Sequence, residues 1–170
     1  MRLTFRVKNI IINNMGIYAH RARKGPYFCG LEFIKMTRRE AREELMNLLF
    51  EAEFRADEDV KEVFATSKEN REIADDEYIH RLYFGIMEKK EEIDKIIGDN
   101  ARGWRTDRLG RISRAVLRIA VYELVYEEDI PYTVTINEAV ELIKKYDDEK
   151  ARPFVNGVLN SVKNGLSEAK

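Results

Sequence analysis

Arg38, Arg39 and Arg42 crowd the start of a stretch that continues with Ala41, Leu45, Leu48, Leu49 and Ala52 at helical spacing, with Phe54 a candidate for the far end of the same stripe. Guanidinium groups suit phosphate and carboxylate because their planar fork of N–H donors matches two anionic oxygens at once. Thr37 and Glu40 form a T-x-x-E capping box, so the cluster is expected at a helix N-terminus. Positive charge there opposes the helix macrodipole, at a cost of about 0.3–1 kcal/mol for each poorly screened group. Glu40, Glu43 and Glu44 offset part of that cost. A cationic cluster placed where it destabilises its own helix hints at an anionic ligand. The competing reading is an ordinary ion-paired face, with Arg39 and Glu43 at i, i+4 as the best pair. Arg38 and Arg42 share that spacing but repel each other, so pairing does not account for the whole cluster. On the residues alone both readings stay open.

Other chemistry is not apparent in the sequence. There is no Ser/His/Asp or Cys/His set, no metal-ligand spacing and no glycine-rich phosphate loop, so neither an enzyme nor a cofactor is expected. His80 has no second His or Cys at ligand spacing. The single cysteine, Cys29, excludes an internal disulfide and a multi-cysteine zinc site. No apolar run reaches the length of a membrane span and no signal-peptide core is present, so a soluble, cytoplasmic protein is expected. Charge is uneven: residues 1–35 carry seven basic and one acidic residue, +6, whereas residues 36–170 carry 23 basic and 30 acidic, −7. Nucleic-acid binding by the second part would have to come from a local patch, because its overall field opposes it.

The elements that must position these residues are helices. Arg111 to Tyr126 is apolar on nearly every side, which marks a helix surrounded by others. Its exception is the line Arg111, Arg114 and Arg118, expected to reach solvent as a salt-bridged rim or to meet a set of acidic partners. Asp57 can cap a short helix running to about Thr66, and Ser67 to Ala74 reads as a connection. A helix from about Asp75 to Lys89 turns Ile79, Leu82, Tyr83 and Ile86 inward, with Gly85 marking a close helix approach. Ile93, Ile96 and Ile97 define the next, with Gly98 as its C-cap, and Trp104 to Leu109 leads into the central helix. After an acidic turn at Glu127 to Pro131, Thr135 and Glu138 form a second capping box. The last helix begins near Ala151, and Gly157 within it again suggests close packing. Residues 1–35 show breakers and no matching periodicity. They are expected to be a non-helical extension, disordered or upstream of a true start at Met36, with 36–170 as the helical domain.

Several stretches of 36–165, in order, resemble the NusB family of transcription antitermination factors. They are RREARE (Arg38–Glu43), W-x3-RL (Trp104–Leu109), RAVLRIAVYEL (Arg114–Leu124), Ile130-Pro131, VTINEAVELIKKY (Val134–Tyr146) and FVNGVL (Phe154–Leu159). The resemblance implies an all-α fold, a compact domain of about seven helices in two small bundles. It also implies binding of boxA-like single-stranded leader RNA jointly with NusE, a small-subunit ribosomal protein, within the transcription elongation complex. The family's arginine-rich first helix maps RNA binding onto Arg38, Arg39 and Arg42. Phe50 stands where some members have tyrosine; it can stack on a base but cannot donate a hydrogen bond. Glu40 interrupts an arginine run that is denser in some members.

Two other classes compete. Similar helical domains occur fused to ribosomal-RNA cytosine methyltransferases, which need a glycine-rich loop and catalytic cysteines that residues 1–170 lack. A purely protein-binding helical module would make the arginines structural. RNA binding separates it from the favoured reading.

Overall fold

The computed structural model describes residues 36–101 and 109–168; the expectations for residues 1–35 and for Trp104 lie outside them. The described residues form seven α-helices and no strand: α1 Arg38–Phe54, α2 Val60–Asn70, α3 Glu77–Glu88, α4 Lys90–Asn100, α5 Arg111–Tyr126, α6 Tyr132–Tyr146 and α7 Ala151–Glu168. Helix α5 is the axis, buried without a break from Ala115 to Leu124. It packs against α1 and α3 in one bundle, which α2 completes, and against α4, α6 and α7 in the other. Leu45, Ile86, Ile93, Leu117, Ile143 and Leu159, one from each helix except α2, are fully buried. Each such side chain contributes about 1.5–3 kcal/mol of burial. No described helix is long and apolar enough to cross a membrane.

The helix ends follow local chemistry, with four shifts from expectation. Thr37 and Glu40 close their capping box, the Thr37 N–H donating to Glu40 Oε2 at 2.8 Å and the Thr37 hydroxyl accepting from the Glu40 N–H at 3.3 Å. Asp59 rather than Asp57 caps α2, accepting from the N–H groups of Lys61 and Glu62, because the apolar spacing that the core needs starts at Val60. That helix runs on through Ser67, which is buried. Gly98 lies inside α4, which ends at Asn100 with the Ala101 N–H returning to the Gly98 carbonyl. Helix α6 starts at Tyr132 behind Pro131, so Thr135 is an interior residue and not a cap.

Of the two glycines expected to mark close packing, only Gly85 does. A Cβ there would fall 2.6 Å from Cζ and 2.8 Å from Cε2 of Tyr122, so the bare α3 backbone at Gly85 makes room for that α5 ring. Gly157 is exposed, and a Cβ would meet nothing within 4 Å. The core stripe of α7 runs through Val155, Val158, Leu159 and Val162 and leaves Gly157 on the outer side.

The arginine line of α5 finds acidic partners. Arg118 is 5% exposed, forks onto Asp94 of α4 at 2.7 and 2.8 Å, and reaches Glu53 of α1 at 2.7 Å. Burial opposes its charge, but the bonds to Asp94 and Glu53 outweigh that and raise its pKa. Arg114 and Arg111 stand 3.7 and 3.8 Å from Glu53, with Arg111 largely in solvent. One arginine line thereby ties three helices together at the seam of the two bundles.

Candidate nucleic-acid interface

The three arginines at the head of α1 have three different fates. Arg38 is exposed and forms no ion pair among the described residues; its guanidinium carbon lies 4.2 Å from the centroid of the Tyr78 ring. Arg39 is also exposed, 62% for its side chain, with Glu138 and Glu141 of α6 at 3.8 and 3.6 Å. Those distances describe a loose, screened pair worth about 0–1 kcal/mol, which leaves the guanidinium available. Its expected partner Glu43 instead accepts from Lys145 at 2.7 Å and from the Tyr146 hydroxyl.

Arg42 departs from the expectation that it faces a ligand. It is 5% exposed and forks onto Glu123 of α5, Nε to Oε1 at 2.8 Å and the second nitrogen to Oε2 at 3.1 Å. A phosphate could reach it only by breaking a buried pair, at a cost of about 3–5 kcal/mol. The α1 geometry explains the difference: Arg42 lies one position beyond Ala41 and three before Leu45, on the flank that α5 covers.

Glu123 is the centre of a polar cluster that the sequence reading missed. Besides Arg42, its carboxylate accepts from the Tyr78 hydroxyl of α3 and, at 2.7 Å, from the Thr135 hydroxyl of α6. Four donors from three helices surround one carboxylate that is 0% exposed, so a buried charge is both paired and hydrogen-bonded. Burial pulls the Arg42 pKa down, but the Glu123 bond and charge outweigh that and raise it. Burial, followed by the Glu123 charge, pushes the Tyr78 phenol far above its ordinary range, so it remains a neutral donor. A signal was present: Glu123 is the single acidic residue of an otherwise buried helix, and such a residue demands partners.

Phe50 is half-buried and lies eleven residues beyond Arg39, about three turns and about 16 Å along the same face of α1. Its ring meets Phe54 edge-on, centroids 5.1 Å apart. Phe54 is not the buried end of the stripe: it is 54% exposed, with the Arg111 guanidinium 4.4 Å from its ring centroid. The structure does not bring Phe50 next to the arginines; it separates cationic and aromatic groups along one helix. Among the described residues no cluster could hold a metal ion. His80 is exposed and packs on the Phe84 ring, centroids 4.7 Å apart.

The pattern of the NusB family matches residues 39–164. A transcription antitermination protein NusB of Bacillus pumilus is 41% identical over 133 residues, covering 78% of this chain and 99% of that protein. Among solved structures, NusB of T. maritima superposes with a TM-score of 0.67 at 38% identity, over 77% of this chain and 93% of that one. A crystal structure of the antitermination factors NusB and NusE in complex with double-stranded RNA gives a TM-score of 0.67 at 34% identity, over 75% and 96% of the two chains. The chain belongs to the NusB family.

Proposed function

We propose that this protein is an RNA-binding transcription antitermination factor. It engages boxA-like leader RNA together with the small-subunit ribosomal protein NusE, in the cytoplasm, as part of a transcription elongation complex that makes ribosomal RNA. The observation that carries the reading is the pair Arg38 and Arg39, exposed side by side at the head of α1 on a domain whose overall charge is negative. Arg38 lacks a carboxylate partner among the described residues, and the partners of Arg39 are loose. Such a patch fits phosphate. Phe50, with Phe54 beyond it, offers ring surface farther along the same helix for a base or for the protein partner. Two arginines bind RNA weakly by themselves, and a second protein that adds surface raises the avidity.

The test is RNA binding by the full chain with NusE present, across a salt series, with a boxA-like single strand and a duplex of the same sequence. Two neutralised phosphates on a single strand contribute about −1.4 to the slope of log K against log salt. The Arg38→Ala/Arg39→Ala variant should lose that contribution. A folded double variant that keeps the parent's affinity and slope would sink the reading.

A further inference from the structure

Arg38 is held by something other than an acid. Its guanidinium carbon is 4.2 Å from the centroid of the Tyr78 ring, within the range of cation–π attraction, while that of Arg42 is farther away, at 5.9 Å. Tyr78 is fixed at both ends. Its backbone N–H donates to the Asp76 carboxylate, 3.0 Å, as the α3 N-cap, and its hydroxyl donates to buried Glu123. The ring is 3% exposed, so it has little freedom to follow the arginine; the arginine follows the ring.

A guanidinium drawn to a ring by cation–π attraction spends no N–H donor on a carboxylate, so its donors stay available to an anion. A carboxylate partner would consume those donors, as Glu123 consumes the fork of Arg42. An arginine held over a buried phenol therefore keeps its charge and its hydrogen-bond donors while losing rotamer freedom before any ligand arrives. Ordering done in advance need not be done on binding.

We propose that Tyr78 is a positioning residue of the nucleic-acid interface, its ring holding the Arg38 guanidinium ready for an RNA phosphate. This rests on the RNA reading of Arg38 given above. Glu123 reaches the interface through it: one carboxylate locks Arg42 directly and orients the phenol on which Arg38 lies. The surface arginine is thus tied to the junction of α1, α3, α5 and α6.

A double-mutant cycle tests the coupling, with a labelled boxA-like single-stranded RNA and NusE as the probe. Arg38→Ala should weaken binding about tenfold, the loss of one charge-assisted phosphate contact. Tyr78→Leu should weaken it several-fold in the parent and not at all in the Arg38→Ala background. Tyr78→Phe keeps the ring but frees it from Glu123, and should weaken binding less than Tyr78→Leu does. Arg38→Lys, which leaves the core untouched, keeps the charge but not the planar face, and should bind several-fold more weakly. Additive losses for Tyr78→Leu and Arg38→Ala overturn the proposal. So does a Tyr78→Phe loss as large as that of Tyr78→Leu, or Arg38→Lys binding equal to the parent. Unchanged binding by Arg38→Ala is a separate result: it removes the RNA reading of Arg38 itself, and the positioning role with it.

Discussion

Glu123 of α5 holds Arg42 of α1 in a forked ion pair with side-chain exposures of 0% and 6%, so the arginine closest in sequence to a binding patch is part of the interior. The pair also places the patch, because the residue one turn before Arg42 is Arg38. Removing one member leaves the other charged and buried. Glu123→Ala is expected to destabilise by about 3–5 kcal/mol, and Arg42→Ala by a similar amount. Replacing both with apolar residues of similar volume should cost much less than the sum. Denaturant melts of the two single variants and the double variant decide it; additive losses would mean that the pair is not a unit.

Tyr83 supplies a test against pH. It is fully buried, and its hydroxyl has no hydrogen-bond partner among the described residues. Burial pushes its pKa from 10.0 up to about 12. The folded state therefore favours the neutral phenol, and the stability it confers is fully present below pH 10. As pH rises from 10 to about 12 the unfolded chain ionises first, and up to about 2–3 kcal/mol is lost. Tyr83→Phe should match or exceed the parent at pH 7, since it removes an unsatisfied polar atom, and should exceed it clearly near pH 11. Thermal melts at the two pH values check both signs. A Phe variant that falls as steeply as the parent between them would place the alkaline loss elsewhere.

The limits of sequence reading show in particular residues. Helix α5 is legible because nothing but a surrounding of helices accounts for an apolar stretch on nearly all sides. The exposed positions of Arg38 and Arg39 are legible too, since they precede the first buried residue, Ala41. Arg42 is not, because a charge on the edge of an apolar stripe turns in or out according to what another helix offers, and Glu123 lies 81 residues away. Caps fail for a similar reason. Asp57 and Asp59 are equally competent, as are Pro131 and Thr135 as entry signals, and packing chooses between them. Phe54 lies at the end of a correct stripe but beyond the helices that would cover it.

A chain begun at Met36 should keep the parent's melting midpoint to within a few degrees. Among the described residues, the cluster of buried side chains draws on every helix from α1 to α7. Calorimetry of the two chains makes the comparison, and a larger fall would show that residues 1–35 contribute to the core.

Two glycine variants should move in opposite directions. Glycine inside a helix is unfavourable by about 1 kcal/mol relative to alanine, chiefly through the entropy of the unfolded chain. At Gly157, in the interior of α7, the added methyl group meets nothing within 4 Å, so Gly157→Ala is expected to stabilise by about 0.4–1 kcal/mol. At Gly85 the same methyl would lie 2.6 Å from Cζ of Tyr122, whose ring also packs on Tyr126 with centroids 4.9 Å apart. Either the ring or the α3–α5 crossing must shift, and overpacking of this kind typically costs about 1–3 kcal/mol, more than the helix propensity returns. Tyr122→Phe removes the outermost atom of the clash and should recover part of the loss in the Gly85→Ala background. Urea melts of the four proteins measure this. If Gly85→Ala proves as stabilising as Gly157→Ala, the Tyr122 ring does not press on the Gly85 backbone as described.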